Sequence, residues 1–157
     1  MRNTVHFLLT VVLLGAVAAA SAADLKLEAK LVWGTNDEKG GPDCKPVDAD
    51  MAAGLHGIYK WKNYFEITNK TACIPLNQTR DLKMSDHCTL QIRNLGASRV
   101  EVKCIGRGKE VVQGAHTLHR PAWWVLGGNA DNNTAWFIGL RSSDGKAGEA
   151  AKVISRN

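Results

Sequence analysis

Apolar and polar positions alternate through most of this chain, and a period of two predicts strands. The clearest case runs from His87 to Gly106. There Cys88, Leu90 and Ile92 alternate with Thr89, Gln91 and Arg93, and Val100, Val102 and Cys104 return among Arg99, Glu101 and Lys103. A turn at Leu95-Gly96-Ala97 joins the two runs as a hairpin. Closed around Gly96, it sets Asn94 opposite Ser98, Ile92 opposite Val100, Leu90 opposite Val102 and Cys88 opposite Cys104. One face is then apolar and the other polar, as in an antiparallel sheet with one side in water.

Leu25, Leu27, Ala29, Leu31 and Trp33 define a first strand that ends at Gly34, and the Gly-, Pro- and charge-rich stretch that follows reads as a surface loop holding Cys44. From Asp48 the period changes. Met51, Leu55 and Ile58 fall at helical spacing behind an Asp48 cap, which predicts one short helix over 48–60. Gly54 and Gly57 weaken it by about 1 kcal/mol each, so it must pack on a sheet. His56 faces away from that stripe. Trp61, Asn63, Phe65 and Ile67 alternate next. A two-residue turn at Asn69-Lys70 would return Ala72, Ile74 and Leu76 to the same face, with Cys73 outward and Pro75 at an edge or strand end. Arg80 to Met84 is a further strand whose parity conflicts with Cys88, so either a bulge intervenes or it belongs to a second sheet. Lys109 to Leu118 returns from a turn at Arg107-Gly108, and Gly114 suggests a bulge.

Ala122–Gly128 and Thr134–Leu140 form the last hairpin, around Asn129–Asn133. Its two faces are both apolar: Trp124, Leu126, Trp136, Ile138 and Leu140 on one, Trp123, Val125, Ala135 and Phe137 on the other. The second face needs a cover, either the helix or a partner. Of the five tryptophans, Trp33, Trp61, Trp124 and Trp136 read as core. Trp123, with Val125 and Phe137, reads as a flat aromatic surface of the kind on which sugar rings stack. Many short strands with closely spaced turns predict a mainly β protein: an antiparallel β-sandwich of about 8–9 strands with the one short α-helix.

Composition adds a compartment. Residues 1–22 combine a basic start, an apolar run from about Phe7 to Ala20 and small residues up to Ala22, the pattern of a cleaved signal peptide. That run is shorter than the roughly 20 residues a membrane span needs. The expected domains are 1–22 as leader, 23–141 as one β-sandwich and 142–157 as a flexible tail, in the periplasm or secreted, with no transmembrane segment after cleavage. The formal charge of +5 is spread over polar strand faces without a basic cluster interleaved with aromatics, which argues against nucleic acid.

Four cysteines in an exported chain predict two disulfides. The hairpin pairing selects Cys88–Cys104, which leaves Cys44–Cys73 to tie the loop to the sheet. No CxxC or HxxxH pattern indicates a metal, and no cofactor motif is present. Strand parity sends His116 and His119 to opposite faces, and the Asp86-His87 pair has no nucleophile elbow beside it, so no catalytic residue is assigned. The Asn129–Asn133 loop offers oxygen ligands, yet Asn and Asp at a hairpin tip favour turn chemistry over calcium. Asn69, Asn77 and Asn132 each begin an Asn-x-Thr triplet.

The stretches LVWGTND (Leu31–Asp37), KWKNYFE (Lys60–Glu66) and WVLGG with TAWFIGL (Trp124–Leu140) together resemble small exported bacterial all-β proteins of unassigned role. The closing Gly-Gly hairpin is also similar, over that short motif alone, to the last hairpins of secretin-type outer-membrane components. The resemblance implies an exported β domain and brings no catalytic residue. The expectation is therefore a non-catalytic envelope protein, binding or structural. It would contact a protein partner, or a second copy of itself, through the apolar face of the C-terminal hairpin at Trp123, Val125 and Phe137. The alternative is a carbohydrate-binding module that holds a polysaccharide on Trp123 and Phe137.

Overall fold

The computed structural model describes residues 24–143. The leader and most of the tail expected at 142–157 lie outside them. Nine strands and one helix follow in the order β1 (Leu25–Thr35), β2 (Lys45–Pro46), α1 (Ala49–His56), β3 (Asn63–Ile74), β4 (Thr79–Ser85), β5 (Cys88–Gly96), β6 (Arg99–Gly106), β7 (Lys109–Thr117), β8 (Trp124–Ala130) and β9 (Thr134–Ser142). They form two antiparallel sheets, β2-β3-β1-β9-β8 and β4-β5-β6-β7, which face each other as the expected sandwich. Among the described residues no helix is long and apolar enough to cross a membrane.

The inward rows of both sheets make the main core. Leu25, Leu27, Ala29, Leu31, Ile138 and Leu140 from the first sheet meet Leu82, Leu90, Ile92, Val100 and Val102 from the second. A smaller cluster lies on the outer side of the first sheet, where α1 covers Val32, Ala135 and Phe137 with Met51 and Leu55. Asp48 caps α1 as expected, its Oδ1 accepting from the Met51 N–H at 3.0 Å. The helix stops at the Gly57 cap, and Ile58 lies beyond it, 74% exposed, instead of on the buried stripe.

Local parity explains where the elements depart from the sequence pattern. Asn69-Lys70 is not a turn, because β3 runs straight through it alongside β1, with Lys30 opposite Asn69 and Ala29 opposite Lys70. An extra residue in β3, the exposed Ile67, shifts the pairing there. This bulge moves the inward positions from odd-numbered Phe65 to even-numbered Ala72 and Ile74, a change the sequence alone suggested was a reversal. Between β4 and β5 a bulge at Met84 resolves the parity conflict within one sheet. In β7 the extra residue is Val111, not Gly114.

The β5–β6 hairpin keeps its two faces but slips by two residues. Leu90 is opposite Cys104, Ile92 opposite Val102 and Asn94 opposite Val100. The connection is a two-residue turn at Ala97 and Ser98, both at positive φ (50° and 59°), preceded by Gly96 at 88°. Such turns match the twist of the strands they join, which favours this register over the loop centred on Gly96. The β6–β7 turn (Arg107, Gly108) has the same two-residue form, whereas β8 and β9 are joined by three residues, Asp131, Asn132 and Asn133, the last two at positive φ. The loop expected at Asn129–Asn133 is shorter than the sequence suggested: Asn129 and Ala130 belong to β8, and only Asp131–Asn133 turn, closed by Thr134 Oγ1 donating to the Asp131 carbonyl at 2.8 Å.

Candidate functional site, the open end of the sandwich

The ends of β4, β6 and β8 and the C-terminal end of β1 meet at one edge of the sandwich. A cavity of about 650 Å³ opens there between the sheets, within the size range of small-ligand pockets. Its wall on the first sheet is a cross-strand aromatic row. Phe65 on β3 is opposite Trp33 on β1, and Trp33 is opposite Trp136 on β9. Trp136 in turn is opposite Gly128 on β8, where a Cβ would come within 2.7 Å of the indole. Gly128 therefore leaves room for the Trp136 ring across the strand. Phe65 is buried, whereas Trp33 and Trp136 are half-buried and line the cavity.

The second sheet supplies Cys88, Cys104 and Val111, and the turns supply a polar rim. Arg107 and Asp131 approach to 3.6 Å across the mouth, linking the β6–β7 and β8–β9 turns. The Arg107 N–H donates to the His87 carbonyl at 2.9 Å and the His87 N–H to Ser85 Oγ at 3.2 Å, so the rim on that side is one connected unit. Asp37 Oδ2 accepts from Thr35 Oγ1 at 3.1 Å. Amide, hydroxyl and imidazole groups with one ion pair at the lip suit an uncharged polar ligand better than a highly charged one. The Asp86-His87 pair is no dyad, because Asp86 turns away to Lys83 at 2.7 Å, which holds its carboxyl below the usual range.

The three residues expected to bind are placed elsewhere. Phe137 is 1% exposed, packed against Tyr59 (4.6 Å between ring centres) and Tyr64 (5.8 Å) beneath α1. It cannot join a surface platform. Trp123 and Val125 are half-buried at the margin of the same cluster. The apolar outer face of the last hairpin, expected to meet a partner, is thus largely covered by the chain's own helix. Trp123 lies under the Arg141 guanidinium, 4.2 Å from its ring centre, with its indole N–H buried and without a hydrogen-bond partner.

Beside Trp123 is a buried charge cluster that strand alternation had placed in solvent. Lys30 Nζ contacts Asp48 at 2.6 Å and Glu66 at 2.8 Å; Lys45 reaches Glu66 at 3.1 Å, and Arg141 reaches Glu28 at 2.7 Å. Burial pushes the Lys30 amine down, but its hydrogen bonds to Asp48 and Glu66 outweigh that and hold it above its ordinary value. Burial likewise raises Asp48 and Glu66, and Lys30 overrides it to hold both below theirs. Because Asp48 caps α1, this cluster fastens the helix to the sheet. Its role is structural.

All four cysteines are free thiols. With β5 and β6 shifted by two, Cys88 is opposite Gly106, and Cys88 and Cys104 are diagonal neighbours with Sγ atoms 3.8 Å apart. The Cys44–Cys73 bridge is excluded by distance. Lys45 pairs antiparallel with Glu66, which puts Cys44 beside Ile67, and Cys73 lies six residues further along β3, about 20 Å at about 3.3 Å per residue, far beyond bridging range. Among the described residues no three His, Cys, Asp or Glu side chains are grouped to hold a metal. Compared with known proteins, the chain matches no family model, no curated protein and no solved structure.

Proposed function

We propose that this chain is an exported, non-catalytic binding module that takes a carbohydrate at the open end of its sandwich, with Trp33 and Trp136 as the stacking surface. One observation carries the reading: two directly paired, half-buried indoles form the wall of a cavity of about 650 Å³ whose rim is polar and nearly charge-balanced. An indole offers a flat, electron-rich face, which the C–H face of a pyranose ring matches. Asn129, Asn132, Ser85 and His87 line the same cavity and would meet the hydroxyl groups at its edge. The aromatic platform is thus moved from Trp123 and Phe137 to the opposite face of the same sheet.

This reading keeps the resemblance to small exported bacterial all-β proteins and assigns such a chain a ligand class. It displaces the protein-partner reading, because α1 occupies much of the surface that reading needs. The test is affinity electrophoresis of residues 24–157 through gels containing neutral and acidic polysaccharides, with tryptophan emission followed during titration by oligosaccharides. Wild-type protein is expected to be retarded by a neutral polymer, and Trp33→Ala and Trp136→Ala to migrate freely while keeping a cooperative melt. Retardation by none of the polymers, or retardation unchanged in both variants, would refute the assignment.

A further inference from the structure

Two thiols stand in the wall of this same mouth on adjacent strands. Cys104 is 1% exposed, and Cys88 is half-buried at the first position of β5, next to the turn that carries Ser85 and His87. Their sulfur atoms are 3.8 Å apart. The separation is set by register: the two cysteines are diagonal, not directly opposed. Diagonal positions lie about 7–8 Å apart at Cα, whereas relaxed disulfides span roughly 4.4–6.8 Å. Closing the bridge must therefore draw the start of β5 toward β6, and strained bridges are the readily reduced ones.

We propose that Cys88 and Cys104 form a reversible cross-strand disulfide whose state sets the affinity of the mouth. The proposal rests on the carbohydrate reading for its second clause only. The Cys88 thiolate attacks one sulfur of an oxidised thiol compound, such as glutathione disulfide, and forms a mixed disulfide while releasing one thiolate. Cys104 then gives up its proton and attacks the Cys88 sulfur, expelling the second thiol. The protein loses two electrons and two protons, and the disulfide compound is reduced to two thiols. Cys88 is half-buried at the mouth whereas Cys104 is 1% exposed, and the contact with Cys88 together with burial pushes the Cys104 thiol up, so Cys88 is the attacking sulfur.

Closure reaches the ligand wall through the backbone. Cys88 follows His87 directly, and the His87 carbonyl accepts the Arg107 N–H. Moving the start of β5 therefore moves Arg107, whose guanidinium is paired with Asp131 across the opening. The thiol state and the width of the lip are thereby coupled.

The experiment equilibrates a Cys44→Ser, Cys73→Ser protein in glutathione buffers from fully reduced to fully oxidised, traps thiols with iodoacetamide and reads both positions by mass spectrometry. The two thiols are expected to disappear and reappear together across an intermediate range of ratios, with no glutathione adduct persisting. In Cys88→Ser, Cys104 stays alkylatable at every ratio once the protein is denatured. The proposal fails if both cysteines alkylate in the most oxidising buffer, if they stay bridged in the most reducing one, or if Cys88 stops at the glutathione adduct with Cys104 free. This titration needs no sugar, so it separates failure of the switch from failure of the carbohydrate reading. Oligosaccharide titration of the two forms should then differ by about fivefold or more in midpoint, and equal midpoints would overturn the coupling.

Discussion

Replacing Lys30 by Met removes the charge that holds α1 to the first sheet while keeping a similar apolar stem. Lys30 is 6% exposed and contacts Asp48 at 2.6 Å, Glu66 at 2.8 Å and Glu28 at 3.9 Å. Breaking a buried pair by deleting one partner costs about 3–5 kcal/mol, because the other charge is left desolvated. The low end applies here, since Glu66 keeps Lys45 at 3.1 Å and Asp48 is 39% exposed. We expect about 3 kcal/mol, a fall of about 2 M in the urea midpoint if the slope is near 1.5 kcal/mol per M. The loss should depend on pH. In the native protein Asp48 and Glu66 have folded pKa values below their unfolded ones, so their contribution is complete above the unfolded carboxylate range and is lost as pH falls through the folded values. Lys30 is raised, so its share is complete below its unfolded value and is lost as pH rises through the folded one. The native cluster is therefore at full strength between about pH 5 and 10. In Lys30→Met, acidification neutralises the stranded Glu66 and the gap to wild type narrows. Lys30→Met with Glu66→Leu removes both buried charges and should recover most of the loss. Urea melts followed by tryptophan emission at pH 7 and near pH 4.5 decide it. A loss below about 1 kcal/mol at pH 7 with unchanged slope would mean the cluster behaves as a solvated surface pair, and the reasoning fails.

The Ala97-Ser98 turn carries two non-glycine residues at positive φ, each strained by about 1–2 kcal/mol, so Ala97→Asn with Ser98→Gly should raise stability by about 1 kcal/mol or more, read as a higher melting temperature. Gly34→Ala places a Cβ 2.7 Å from the Trp61 ring and 2.8 Å from the Phe137 ring, both buried; we expect about 1–3 kcal/mol of destabilisation by urea titration, and a neutral result would mean that the helix-side cluster is loosely packed. Buried Asn94 on β5 joins the two sheets at the end far from the mouth, donating through Nδ2 to the Ile74 carbonyl at 2.8 Å and accepting the Gly96 N–H at 2.9 Å. Asn94→Ala leaves both groups unpaired and should cost about 2–3 kcal/mol by the same melt.

Alternation reports which side of a sheet a residue takes, and that much of this molecule was legible: the two-layer β architecture, the one helix and its Asp48 cap, and the apolar face of nearly every strand. It says nothing about register in steps of two, since such a slip returns every side chain to its own face. That is why Cys88 kept its side in the β5–β6 hairpin yet lost Cys104 as its direct partner. Nor does alternation report depth along the sandwich. Trp33 and Leu27 carry the same parity on β1, but Leu27 is fully enclosed while Trp33 opens onto the mouth. The signal that separates them is weak but physical: Trp33 is the last inward residue before Gly34 and a long polar loop, and Trp136 is the second inward-parity residue after the Asn-rich turn, with glycine opposite. An inward tryptophan within two or three residues of a strand end is poorly placed to be covered by the facing sheet. Lys30 shows the converse, an outward lysine on the solvent-phase row that is buried because a helix nineteen and more residues downstream returns over it. The tryptophan-lined mouth and the charge cluster were both hidden by the same limit, that a period of two describes one sheet and not what lies against it.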